Sequence, residues 1–143
     1  MTRKPRVVLD SVVAVSSFLT AGLTAELVLL CEEKVDLYTA EKILQEIRYV
    51  LLAKPHIRNR YDYTATEVDV FVAYLLEIST IIEQLPEIRV IERYSKYDMI
   101  IACAVAASAN YIVSRDRHLL DLGSYQDMQI VTPEHFMQIL REI

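Results

Sequence analysis

The chain has 143 residues, 53% of them hydrophobic, with a net charge of −5 and only two glycines. This is enough sequence for one domain with a real core, expected to span residues 1–143; the scarcity of glycine excludes a glycine-rich phosphate loop or a dinucleotide fingerprint. The acidic balance excludes broad electrostatic attraction to nucleic acid but not a local basic patch.

In chain order, Val7-Val8-Leu9 reads as a buried strand that closes on Asp10. Asp10 also interrupts what would otherwise extend the basic N-terminus into a signal-peptide pattern. No apolar run approaches the roughly 20 residues that span a bilayer, so a cytoplasmic protein without membrane contact is expected. Helices follow over 11–19 and 24–31, then a short strand over 36–38. Thr39 is the expected N-cap of an amphipathic helix with Ile43, Leu44, Ile47, Val50 and Leu51 at helical spacing, ending before Pro55. Thr64-Ala65-Thr66-Glu67 has the form of a capping box and opens a long helix to about Ile82. A strand over 88–91, a helix over 97–108 and a strand over 111–113 come next. A short helical turn around Leu119 leads to a last strand over 129–131. Thr132-Pro133-Glu134 then starts a C-terminal helix, with proline at its first position.

Strands separated by helices require crossover connections, hence an α/β fold with a mostly parallel sheet covered on both faces. Ligands in such sheets bind beyond the carboxyl ends of the strands. Asp10 and Asp116 fall at such ends, Asp98 at a helix start, and Glu46 within the amphipathic helix. Carboxylates brought together repel by about 4 kcal/mol per pair at 4 Å and an effective dielectric of 20, a cost that a divalent cation removes. Mg2+ and Mn2+ favour such oxygen donors and support in-line displacement at phosphorus. Each acid also has a plainer use. Asp98 is able to cap its helix, Asp116 to start the turn before His118, and Glu46 to sit exposed on its helix. Asp10 is the hardest to explain that way, because an acid ending a buried strand needs a partner or a cleft.

The remaining candidates carry less. Arg48, Lys54, His56, Arg58 and Arg60 form a basic cluster that suits either phosphate contact or a solvated helix end. His56, His118 and His135 lack zinc spacing, and Cys31 and Cys103 read as small core residues. Tyrosines such as Tyr49, Tyr61, Tyr63, Tyr94 and Tyr97 favour packing at the polar margin of the core over base stacking. A phosphatase would want a second acid two residues after Asp10, where Val12 stands.

The chain resembles the PIN-domain ribonucleases, in particular the toxin components of bacterial and archaeal toxin–antitoxin pairs. The likeness rests on Val7-Val8-Leu9-Asp10-Ser11, Ile43-Leu44-Gln45-Glu46 and Tyr97-Asp98-Met99-Ile100-Ile101-Ala102-Cys103-Ala104. It continues through Ala109-Asn110-Tyr111-Ile112-Val113-Ser114-Arg115-Asp116 and Ile130-Val131-Thr132-Pro133-Glu134-His135-Phe136. The resemblance implies a three-layer α/β/α sandwich and an endoribonuclease dependent on Mg2+ or Mn2+. It further implies an RNA substrate, a cognate antitoxin partner and a homodimer. Asp10, Glu46, Asp98 and Asp116 match the family's acidic positions, and Ser11 its small hydroxyl. Arg115 is a candidate phosphate contact or a partner for an acid. Two departures stand out: Val12 replaces the usual asparagine, and Tyr94-Ser95-Lys96-Tyr97 lacks further acids. A catalytically weakened module that binds antitoxin or RNA is the alternative reading.

Overall fold

The structure, a computed structural model, describes residues 3–89 and 95–143. Its centre is built by short aliphatic runs that only a sheet covered on both faces will bury. Val7 and Val8 of β1 (Arg6–Leu9) are fully buried, as are Ile112 and Val113 of β4 (Tyr111–Val113). These two strands pair in parallel, flanked by β2 (Asp36–Thr39), β3 (Ser79–Ile81), β5 (Ser124–Tyr125) and β6 (Met128–Val131). The strand order is β3-β2-β1-β4-β6-β5, parallel throughout except for β5 against β6. Helices flank the sheet in a three-layer α/β/α arrangement, the architecture that crossover connections require.

Around the sheet lie α1 (Ser11–Leu19), α2 (Leu23–Lys34), α3 (Glu41–Ala53), α4 (Pro55–Arg58), α5 (Ala65–Ile78), α6 (Ser95–Ala106), α7 (Arg117–Leu122) and α8 (Pro133–Arg141). Helix α6 lies across β1, β2 and β4; α3 packs against α1, α5 and α6; α2 packs against α8. Phe136 of α8 is fully buried, its ring 5.3 Å from that of Tyr111 on β4. Cys31 and Cys103 are buried free thiols, and burial pushes both up to about 12, which keeps them protonated and unreactive. Among the described residues no single helix is long and apolar enough to cross a membrane.

Several local expectations are met in detail. Thr64 and Glu67 form a complete capping box at the start of α5, and the Thr132 hydroxyl accepts the His135 amide ahead of Pro133. Others are corrected. The N-cap of α3 is Ala40, not Thr39, because Thr39 remains in β2 and pairs with Ile81. Helix α5 ends at Ile78 rather than near Ile82. The β-branched residues Thr80 and Ile81 pass directly into β3 and complete the sheet edge beside β2. The strand expected over 88–91 falls partly outside the described residues, as does Tyr94, and Ile88 and Arg89 are not in a strand. Two further elements have no counterpart in the sequence reading, the single turn α4 after Lys54 and the two-residue β5. Gly123, with φ of +73°, turns the chain from α7 into β5, a backbone setting that glycine adopts without strain.

Candidate active site

The parallel register of β1 and β4 sets the first part of the site. The Asp10 amide donates to the Val113 carbonyl at 2.9 Å, extending the ladder one step beyond Leu9. Asp10 and Ser114 therefore emerge side by side at the carboxyl edge of the sheet. Asp10 is only 2% exposed and Ser114 is fully buried. The Ser114 hydroxyl donates to Asp10 Oδ2 at 2.8 Å and its oxygen accepts the Asp116 amide at 2.9 Å. One serine thus fixes the first acid and the backbone that carries the last.

The other Asp10 oxygen is served less well. The Ser11 hydroxyl lies 3.4 Å from Asp10 Oδ1 and 3.3 Å from Glu46 Oε2, so one proton is shared between two carboxylates at long range. Burial is the main reason the Asp10 carboxyl is held above its ordinary range. The bonds from Ser114 and the Ser11 amide oppose that rise, while the negative charges of Asp116 and Glu46 add to it. Asp10, Glu46 and Asp116 therefore share one electrostatic neighbourhood, with Ser11 between two of them.

Asp116 also performs a structural task. It is the N-cap of α7, its Oδ1 accepting the His118 amide at 2.9 Å. Its Oδ2 accepts the phenolic hydroxyl of Tyr97. Tyr97 is 6% exposed, sits in the first turn of α6, and places its ring 5.8 Å from that of His118.

Asp98, the next residue, is buried but does not line the cavity of Asp10, Ser11 and Glu46. It lines a separate cavity with Lys42, Leu85, Pro86 and Met99, whereas Tyr97 lines the cavity of Asp10, Ser11 and Glu46. Asp98 also lies inside the first turn of α6 rather than at its cap. Arg115 turns outward and pairs with Glu134 at 2.9 Å, with both side chains about half exposed.

The cavity above Asp10 holds about 450 Å3 and extends from the acids past Val12, half exposed, to Tyr49, Lys54, His56 and Ile57. Its far rim carries Lys54 and His56 beside Tyr49, and Arg58 and Arg60 follow in and just after α4 without lining it. Lys54 lies over the Tyr49 ring, Arg58 over Tyr63 and Arg60 over Tyr61, with cation-to-centroid distances of 5.4, 5.0 and 5.6 Å. Arg48, from the same basic cluster, is instead paired with Asp69 at 2.9 Å. The cavity thus runs from carboxylates at the sheet edge to cations on the α3–α4 corner.

A sequence model of the PIN domain matches residues 6–118, most of the chain. The chain belongs to the PIN domain family. Comparison with curated proteins gives no significant match. PIN domains are generally nucleases, and those nucleases generally use divalent metals, which accords with a cluster of acids at the sheet edge. The donors present are hard carboxylate oxygens, the chemistry that Mg2+ and Mn2+ prefer, and their mutual repulsion is the kind a cation relieves. As arranged, no three acidic, histidine or cysteine side chains among the described residues stand at ligand spacing.

Two residues of this PIN domain site carry little signal in the sequence. Ser114 appears in a plain strand end, and only its position two residues before Asp116 hints at a bracing role. Tyr97 has the look of a packing residue beside an acid, and nothing but the rotational phase of α6 assigns it to the cavity.

Proposed function

We propose that this PIN domain is a metal-dependent endoribonuclease. Asp10, Glu46 and Asp116 would hold the cation, Mg2+ or Mn2+, and Ser11 and Ser114 would orient Asp10. The observation that carries this reading is the buried, serine-braced Asp10 in the field of Glu46 and Asp116, opening into a cavity with a basic far rim. When bound, the cation would supply neutralisation of charge on phosphate and an acidified water. The protein's own part is to hold Asp10 rigidly, keep Glu46 adjacent through Ser11, and place Lys54 and His56 where an RNA backbone would leave the acids. The exposed Tyr49 offers a stacking face for an unpaired base.

Mixed RNAs incubated with the protein and Mn2+, beside an Asp10→Asn variant, test the proposal. Cleavage by the wild type and none by the variant is expected, whereas equal cleavage by both would remove the assigned site.

In the same reading the protein is the toxin of a toxin–antitoxin pair and a homodimer. Exposed Leu29, Val70 and Leu76 offer apolar surface that a partner or second copy would cover. Light scattering of the purified chain, alone and co-expressed with its neighbouring gene product, checks both points. A second reading, a PIN module that binds without efficient cleavage, has one observation in its favour. Both Asp116 oxygens are already engaged, by the His118 amide and by Tyr97.

A further inference from the structure

We propose that Tyr97 is a positioning residue that holds Asp116 and thereby sets how tightly the acidic site takes a divalent cation. The inference rests on the metal-dependent reading above and concerns which residue governs it. Tyr97, rather than the adjacent Asp98, is the side chain that α6 delivers to the cavity of Asp10, Ser11 and Glu46. Its hydroxyl has a specific target, Asp116 Oδ2. The opposite oxygen is held by the His118 amide at 2.9 Å, so Asp116 is fixed at both ends.

A phenol donating to a carboxylate takes up part of the negative charge that a cation at the same oxygen would use, and such charge-assisted bonds are among the stronger ones in proteins. That competition for charge also accounts for the spacing: Asp116 contributes its charge to Asp10 but does not complete a three-acid ligand set. Tyr97 thus acts as a latch on the last acid. A cation held by Asp116 Oδ2 would draw on the same charge that the phenol takes up, so the two would weaken each other.

Calorimetric titration with Mn2+ tests the latch, using wild type, Tyr97→Phe, Asp116→Asn, the double variant and Asp10→Asn. Phenylalanine keeps the ring beside His118 and removes only the hydroxyl. Tyr97→Phe is expected to bind Mn2+ roughly tenfold more tightly, the size of one charged hydrogen bond. The gain should vanish in the Asp116→Asn background, because the latch acts through that carboxylate. A purely structural role for Tyr97 would lower the melting temperature without tightening binding. The wild type supplies a second readout. With no tryptophan in the chain, Mn2+ should perturb the near-ultraviolet tyrosine bands, and this change should be absent from Tyr97→Phe. Unchanged or weaker binding by Tyr97→Phe, with wild type binding and Asp10→Asn not, overturns the latch and leaves the metal reading standing. Absence of Mn2+ binding by both wild type and Tyr97→Phe removes the metal reading itself, and the latch with it.

Discussion

Ser114 and Asp10, each one residue past the end of neighbouring parallel strands and 104 positions apart in sequence, are joined by a 2.8 Å hydrogen bond at the carboxyl edge of the sheet. Both are buried, and the bond partly offsets the cost of enclosing a carboxylate there. Ser114→Ala should remove that compensation and release the Asp116 amide as well. A loss of about 1–3 kcal/mol in denaturant unfolding is expected, together with loss of RNA cleavage. Full activity in a destabilised variant would show that the serine braces the fold but not the site.

Asp10 gives a pH dependence with a definite sign. Burial, aided by Asp116 and Glu46, raises its carboxyl above the ordinary 3.8, so the folded protein holds this proton more tightly than the unfolded chain does. Its contribution to stability is therefore complete below 3.8 and is lost as pH rises through the folded value. Without metal, Asp10→Asn should match wild type in acid and exceed it at neutral pH. The gain should appear as a higher melting temperature of the variant at neutral pH that closes as the pH falls. A constant difference across the pH series would contradict the assignment.

The two adjacent residues on α6 predict opposite results. Asp98 lines the cavity of Lys42 and Leu85 and not that of Asp10. Asp98→Asn should leave Mn2+ affinity within about twofold of wild type, a change of less than about 0.5 kcal/mol. Calorimetry decides this directly, and a large loss would place Asp98 back among the metal-binding acids.

At the α3–α4 corner, Lys54 and Arg58 should contribute to RNA affinity where Arg48, ion-paired with Asp69, should not. Replacing either of the first two with alanine should weaken binding of a single-stranded RNA. Each lost phosphate contact should also reduce the salt dependence by about 0.7 in log–log slope. Arg48→Ala serves as the control, and fluorescence anisotropy at several salt concentrations provides the comparison. Equal effects from all three would mean only a diffuse charge effect.

Farther from the site, Thr132→Ala removes the hydroxyl that accepts the His135 amide and should cost about 1 kcal/mol. Its cleavage activity should be unchanged once the protein is folded. A parallel loss of activity would connect α8 to the chemistry.

Much of this architecture was open to reading because β-branched runs and caps carry local physical signals. Val7-Val8 and Ile112-Val113 suit a sheet buried on both faces, and the Thr64–Glu67 and Thr132–Pro133 pairs announce helix starts whatever surrounds them. Asp10 and Asp116 could be placed together because parallel neighbours share a carboxyl edge. The choice between Tyr97 and Asp98 could not be made that way. Consecutive helical residues point about 100° apart, and only the packing of α6 on the sheet settles which of the two enters the cavity. Residues 79–81 posed a related problem, since an apolar helix end and an edge strand look alike until β2 offers its free edge.

The central pairing of β1 with β4 also bears on when the acidic site can form. A chain emerging from the ribosome exposes Asp10 and Glu46 early, but these residues have neither the brace of Ser114 nor the charge of Asp116 until β4 follows. Such distant strand pairing forms late compared with local helices. In a nascent PIN domain the braced acidic edge therefore comes into being only once β4 has been made and has paired with β1.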